Sequence, residues 1–106
     1  MKVSELTGGL LDFWVAKAEG IDVLSFESNI VLIRESTCWS VAYEPSTEWA
    51  QGGPILEDNA IGVIAISDAE WMACEQQTHC QARGPSYLVA AMRAYVMHKF
   101  GDEVNE

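Results

Sequence analysis

The stretch that decides the fold is "SYLVAAMRAYVMHKFG", Ser86 to Gly101. Apolar and small side chains recur in it every three or four residues, which is the spacing of one face of an α-helix. Serine is a residue type that caps helix starts, and glycine is one that ends helices. The sequence therefore predicts a C-terminal helix that packs on a core, followed by a mobile charged tail over residues 102–106. The residues on the shared face are Leu88, Ala91, Met92, Tyr95, Val96 and Lys99.

A second helix is predicted near the other end of the chain. Thr7 is suited to its N-cap, and Leu6 and Leu11 flank that cap at the positions of a hydrophobic staple. Gly20 provides the stop. The two glycines after Thr7 weaken the first turn, so this helix depends on packing rather than on intrinsic propensity.

The sequence between these helices is typical of β-structure, with short β-branched and aromatic runs separated by polar breaks. Strands are predicted within residues 29–35, 37–43, 60–67 and 70–76, and further short strands within 21–27 and 78–84. The segment "AIGVIAIS", Ala60 to Ser67, is almost continuously apolar, which predicts a strand that is central in the sheet or buried on both faces. Short breaks between consecutive strands favour antiparallel pairing.

These elements predict one domain over residues 1–106, because a chain of 106 residues leaves little room for two. Its fold class is α+β: an antiparallel sheet of four or five strands packs against an N-terminal and a C-terminal helix. An open strand edge in such a sheet also permits a homodimer.

The chain is strongly acidic, with 16 acidic and 6 basic residues and a net charge of −10. Binding to a phosphate backbone requires clustered lysine and arginine, and here these residues are scattered, so no direct nucleic-acid binding is expected. The acidity is explained most simply by solubility. It would also attract a basic protein partner, or imitate nucleic acid if the carboxylates form a regular array.

The first residues lack the apolar segment of a signal peptide, and no apolar run is long enough to cross a bilayer. The three cysteines, Cys38, Cys74 and Cys80, form an odd set without repeated spacing. Such a set is typical of reduced thiols. We therefore expect a cytoplasmic protein that does not bind a membrane.

The sequence contains no motif that predicts chemistry. The segment "CEQQTHC", Cys74 to Cys80, offers at most three soft ligands, whereas a structural zinc site needs four, so no metal is expected. No signature pairs a nucleophile with a base, and "GGPI" lacks the lysine and the strand–helix setting of a phosphate-binding loop. We expect no cofactor and no catalytic residue.

The best candidate for a site is "EPSTEWAQGGPILE", Glu44 to Glu57. Its proline, capping residues and glycine pair predict a rigid loop with a short helical turn that presents Trp49. Such loops often bind ligands, but large aromatic side chains usually bury most of their area. The interpretation of Trp49 as a lid on the core is therefore slightly favoured over a binding role. The candidate binding residues are Pro45, Ser46, Thr47, Trp49, Gln51, Gly52, Gly53 and Pro54.

Three blocks of the sequence resemble the NinX-like proteins of lambdoid phages and prophages, a domain without an assigned function. The blocks are "VSELTGGLLDFWVAKAEG", "YEPSTEWAQGGPILE" and "GPSYLVAAMRAYVMHKFGDEV", in the same order. Two positions depart from the family pattern, Tyr87, where proline is expected, and Gly9, where alanine is common. The resemblance implies a phage or prophage protein made in the bacterial cytoplasm. It implies no enzyme activity, cofactor or catalytic residue.

Two functions agree with these observations. The first is a phage accessory protein that acts as a non-catalytic binding module on a host or phage protein. The alternative is a small-molecule or anion-binding protein, or a small enzyme, that uses the Pro45–Pro54 loop with Arg83 or Arg93 as an anion anchor, since arginine suits carboxylate and phosphate. The alternative predicts a cavity beside Gly52 and Gly53 with an arginine pointing into it.

Overall fold

The computed structural model describes residues 1–105 and has three α-helices and six strands in that range. After a 3₁₀ turn the elements follow in the order α1, β1, β2, β3, α2, β4, β5, β6 and α3. Their bounds are Val3–Glu5 for the 3₁₀ turn, Gly8–Glu19 for α1, Val23–Glu27 for β1, Ile30–Arg34 for β2, Ser40–Ala42 for β3, Trp49–Asp58 for α2, Ile61–Ser67 for β4, Glu70–Glu75 for β5, Gln81–Gly84 for β6 and Tyr87–Phe100 for α3.

The predicted α+β class is confirmed, but the single sheet of four or five strands is wrong. The strands form two three-stranded antiparallel sheets, β1–β2–β3 and β4–β5–β6, each with its strands in sequence order. The two sheets are separated along the chain by α2, which occupies a segment that the sequence predicts to be a loop. A helix at that point divides one run of strands into two.

The predicted C-terminal helix is confirmed as α3, with the cap and the stop in the expected places. The side chain of Ser86 accepts a hydrogen bond from the amide of Val89 at 3.2 Å, and Gly101 follows the last helical residue. Except for Lys99, the residues of the predicted face are buried. The helix packs against the second sheet and against α1, so it forms the centre of the core.

The N-terminal helix α1 also begins after Thr7 and ends before Gly20, as predicted. Its cap differs, because the Thr7 side chain makes no capping hydrogen bond. Asn29, in the turn between β1 and β2, accepts the amide hydrogen of Gly9 through Oδ1 at 2.8 Å instead. A residue of the β1–β2 turn thus provides the hydrogen-bond acceptor for an otherwise unpaired amide in the first turn of α1. A Cβ atom on Gly9 would collide with the backbone of Asn29, so this contact requires glycine.

Strand β4 lies at an edge of the second sheet, which contradicts the prediction of a central or doubly buried strand. Its inner face packs towards α3, with Val63 in register with Ala73 of β5. Its outer face is open, and Ile64 is 61% exposed. A continuously apolar strand has no polar face in its sequence. The sequence therefore does not show that one face of β4 is exposed to solvent.

The predicted mobile tail is held to the N-terminus through Val104. The amino group of Met1 donates to the carbonyl oxygen of Val104, and the amide of Val104 donates to the carbonyl oxygen of Met1, both at 2.9 Å. Lys2 and Glu103 form a β-bridge, and the Val104 side chain is buried. The apolar residue within "DEVNE" explains the docking, while Glu106 lies outside the described residues.

Candidate functional site

The candidate segment forms a helix rather than a loop. Helix α2 begins at Trp49 and runs through the glycine pair and Pro54 to Asp58. The capping position is Glu48, whose side chain makes no capping hydrogen bond. Ser46 and Thr47, the residues suited to cap the predicted helical turn, lie before this position. Glycine and proline disfavour helix interiors, so contacts with the rest of the protein stabilise this helix.

Gln51 anchors the start of α2 to the first sheet. Its Oε1 accepts the amide hydrogen of Glu44 at 2.5 Å, and its Nε2 donates to the carbonyl oxygen of Ala42 at 3.0 Å. The second bond reaches the last residue of β3. Gln51 is therefore a structural residue that fixes the angle between strand and helix.

Asp12 of α1 holds the turn that leads into α2. Its Oδ1 accepts the amide hydrogen of Ser46 at 2.9 Å, and both residues are buried. Burial raises the pKa of Asp12, hydrogen bonding to Ser46 offsets part of that rise, and the charge of Glu44 adds to it. Pro45 is buried as well. Pro45 and Ser46 thus support the segment from beneath.

The two glycines allow α2 to pack closely. A Cβ on Gly52 would collide with the carbonyl oxygen of Pro45 and lie 2.9 Å from Leu88 of α3. A Cβ on Gly53 would lie 2.7 Å from the indole ring of Trp49. Both glycines are buried, so they do not line an open cavity at this point.

Trp49 is exposed, with 58% of its surface accessible, and the interpretation of Trp49 as a lid on the core is wrong. Its ring lies over Gly53 and meets Tyr87 edge to face, with the ring centres 5.7 Å apart. Tyr87 in turn meets Trp71 of β5 at 5.4 Å. We call these three side chains the aromatic ladder. Each ring supports the next, so Trp49 is exposed but held in place.

A cleft of about 390 Å³ lies beside Trp49 and Tyr87 of the aromatic ladder. Its lining comes from the turn before α2 and from the start of α3: Ser46, Thr47, Trp49, Ser86, Tyr87 and Leu88. The segment that carries Trp49, residues 44–58, contains four acidic residues and no lysine or arginine. An exposed aromatic ring in an acidic setting is suited to a basic ligand.

The candidate anion anchors Arg83 and Arg93 come together in a different cavity, of about 640 Å³, at β6 and α3. Arg93 donates from Nε to the carbonyl oxygen of Leu6 at 2.8 Å and from Nη1 to that of Arg83 at 2.7 Å. Burial lowers the pKa of Arg93. Arg83 is more exposed and lies 3.6 Å from Glu70. The prediction that this arginine cavity lies beside the glycine pair is wrong, since α2 packs its glycines inward.

A cluster that the sequence does not predict connects the β5–β6 turn with the end of α3. Glu75 is fully buried, and its carboxylate accepts hydrogen bonds from the amide of Gln77 and from the amide and hydroxyl of Thr78 at 3.0 and 2.7 Å. Nδ1 of His98 lies 3.0 Å from Oε2 of the same carboxylate. Burial by itself would raise the pKa of Glu75, but these donors and His98 hold it below its ordinary value. The signal in the sequence is a threonine three residues after a strand-ending glutamate, a spacing typical of turns.

This cluster is not arranged as a catalytic relay. Glu75 and Thr78 both contact Nδ1 of His98, the second at 3.1 Å, whereas a relay uses the two ring nitrogens for different partners. The Thr78 hydroxyl also lies 3.1 Å from the Cys80 sulfur. The geometry indicates that the cluster joins the turn to the helix.

Within residues 1–105 no three histidine, cysteine or acidic side chains come together as a metal site. Cys38, Cys74 and Cys80 are free thiols. None of the helices formed by these residues has the length and apolar character needed to span a bilayer.

Fold and site together define a small acidic α+β protein that presents a supported aromatic surface. The family described as Bacteriophage P22, NinX matches residues 2–99, and the chain belongs to this family of bacteriophage proteins. The match confirms the resemblance and covers the first two sequence blocks and the third as far as Lys99. No curated protein is significantly similar to the chain.

Proposed function

We propose that this phage protein is an accessory factor that binds a host or phage protein through the aromatic ladder and does so without catalysing a reaction. The observation that carries the proposal is the exposed but supported ring of Trp49. Tryptophan is strongly enriched among the residues that dominate binding energy at protein interfaces. A ring that is already held in place loses little conformational freedom on binding.

The charge around Trp49 favours a basic partner. The four acidic residues of 44–58 have no basic counterpart in the same segment. A lysine or arginine from a partner would gain both from these carboxylates and from the face of the indole ring. We place this interaction in the cytoplasm of the bacterial host, where the protein would be made.

The test is affinity capture from a bacterial lysate with the purified protein as bait. We expect Trp49→Ala to reduce capture of the specific partner by at least about tenfold, which is typical of an interface hot spot. Trp49→Phe should retain more of it. Capture should also weaken as salt is added, since charge complementarity contributes.

Trp39→Ala is the matched control, because Trp39 is 71% exposed but lies outside the ladder. This variant should capture the partner as the unchanged protein does. Equal capture by the Trp49→Ala and unchanged proteins, with both folded by circular dichroism, would contradict the proposal.

A second candidate function is anion binding at the cavity that contains Arg83 and Arg93. Arg83 is the available anchor, because Arg93 already donates to two backbone carbonyl groups. Titration with inorganic phosphate, followed by NMR, should shift the amide signals of β6, and Arg83→Gln should abolish these shifts. Lys17→Gln, on α1 and outside the cavity lining, is the control. Shifts that persist in Arg83→Gln would exclude this site.

A further inference from the structure

We infer that the partner binds as an extended segment with basic ends, which adds a strand to the free edge of β4. This inference rests on the proposed function, since it describes how the same partner is held. An extended segment that joins a sheet edge gains affinity from main-chain hydrogen bonds and specificity from alternate side chains.

The edge of β4 is open and unprotected. Within residues 1–105 the strand pairs only with β5. Residues 60–67 contain no charge and no proline, and the register shift in the pairing lies at the far end, between Ala65 and Ser67. Natural edge strands usually carry a charge, a proline or a central bulge that prevents further pairing. Ile64 and Ile66 are exposed there, at 61% and 42%.

The charges at the two ends of β4 select the partner. Glu57 and Asp58 precede the strand, and Asp68 and Glu70 follow it. A second copy of this chain, paired antiparallel, would bring the acidic ends of the two strands together. These four residues flank β4 without belonging to it, and like charges brought close together repel, whereas opposite charges attract. A segment with an apolar centre and basic ends therefore fits this edge better than a second copy does.

The edge is connected to the aromatic ladder. Ala65 of β4 is in register with Trp71 of β5, so their side chains share the face of the sheet that is turned towards α3. Trp71 is the ring that supports Tyr87, and Tyr87 supports Trp49. A segment paired with β4 would thus lie one strand away from Trp71, the first ring of the aromatic ladder.

The test uses the full chain and a synthetic peptide of alternating valine and threonine with lysines at both ends. Hydrogen exchange followed by NMR should show at least about tenfold slower exchange of β4 amides in the presence of this peptide, since newly paired amides are protected. A peptide with glutamates in place of the lysines should protect much less. Ile64→Lys should remove the protection, while Ile64→Thr, which keeps a β-branched residue at this exposed position, should retain it.

Two results would overturn the inference. One is exchange at β4 that the lysine-flanked peptide does not change. The other is a dimer by sedimentation that Ile64→Lys dissociates, because the edge would then bind a second copy. The proposed function can fail separately. If the peptide protects β4 but Trp49→Ala does not change partner capture, binding at the β4 edge is retained and binding through the aromatic ladder is excluded.

Discussion

Two buried carboxyl groups organise two different segments of this protein, and their pKa values move in opposite directions. Asp12 holds the turn before α2 through the amide of Ser46, and Glu75 holds the turn between β5 and β6. The pKa of Asp12 is raised, mainly by burial. That of Glu75 is lowered despite burial. Both side chains are almost inaccessible to solvent, but Asp12 lies deeper in the protein than Glu75, so burial acts more strongly on the pKa of Asp12.

The number of donors and the nearby charges add to this difference. The carboxylate of Glu75 accepts hydrogen bonds from two amides and a hydroxyl and lies beside His98. These groups favour its charged form. Asp12 accepts from Ser46 alone and lies near another acidic group, Glu44. The donors of the β5–β6 turn thus favour an ionised carboxylate at Glu75, whereas burial disfavours one at Asp12.

The largest effect is expected for Glu75→Gln. A glutamine keeps one acceptor oxygen but places an amide group towards donors, so the free energy of unfolding should fall by about 3 kcal/mol. Urea denaturation at neutral pH measures this change. Glu27→Gln, an exposed position at the end of β1, is the control and should be nearly neutral.

The pH dependence gives a second measurement on the same variant. Because the pKa of Glu75 is lower in the folded state, its contribution is present above the ordinary value of 4.5 and is lost as the pH falls through the folded-state value. The Gln variant should lose that part of the acid sensitivity. If it unfolds in acid just as the unchanged protein does, the carboxylate does not have the role assigned to it.

A smaller effect is expected when the packing of α2 is changed at its glycines. Gly52→Ala places a methyl group against the backbone of Pro45, which cannot move easily, and should cost about 2 kcal/mol of unfolding free energy. Gly53→Ala meets only the side chain of Trp49, which would have to leave its place in the aromatic ladder, and helix propensity favours alanine by up to about 1 kcal/mol. Gly53→Ala should therefore be close to neutral in stability but should weaken capture of the partner. Equal stability losses in the two variants, measured by thermal unfolding, would contradict this distinction.

The same glycines show what the sequence predicts and what it does not. The ends of α1 and α3 are predictable because the residues that start and stop them are local, as at Ser86 and Gly101. Helix α2 is not, because its glycines and Pro54 disfavour a helix by propensity. What stabilises it comes from elsewhere in the chain: the backbone of Pro45, Leu88 of α3, and the hydrogen bonds of Gln51.

The sequence singles out one residue of the aromatic ladder. Trp49 stands out as an aromatic residue among turn-forming residues, and the structure places it at the surface. Its supports, Tyr87 and Trp71, lie on other elements, and no pattern in one sequence reveals which rings meet in space. The same holds for Arg83 and Arg93, which share a cavity that only the packing of β6 against α3 creates. The exposure of β4 depends on whether another layer covers the second sheet, which is a property of the whole fold.

The smallest effect is expected for Asp12→Asn, and it completes the comparison with Glu75. Asparagine keeps an oxygen that can accept the amide hydrogen of Ser46, so the stability at neutral pH should change by less than about 1 kcal/mol. The pH dependence should change in the opposite sense to that of Glu75→Gln. Because the pKa of Asp12 is raised in the folded state, its contribution is full below the ordinary value of 3.8 and is lost as the pH rises through the folded-state value. The variant should therefore lose less stability than the unchanged protein as the pH rises over that window, whereas Asp22→Asn, at an exposed position, should not differ. A loss of several kcal/mol at neutral pH would show that the turn before α2 needs an ionised carboxylate as much as the β5–β6 turn does.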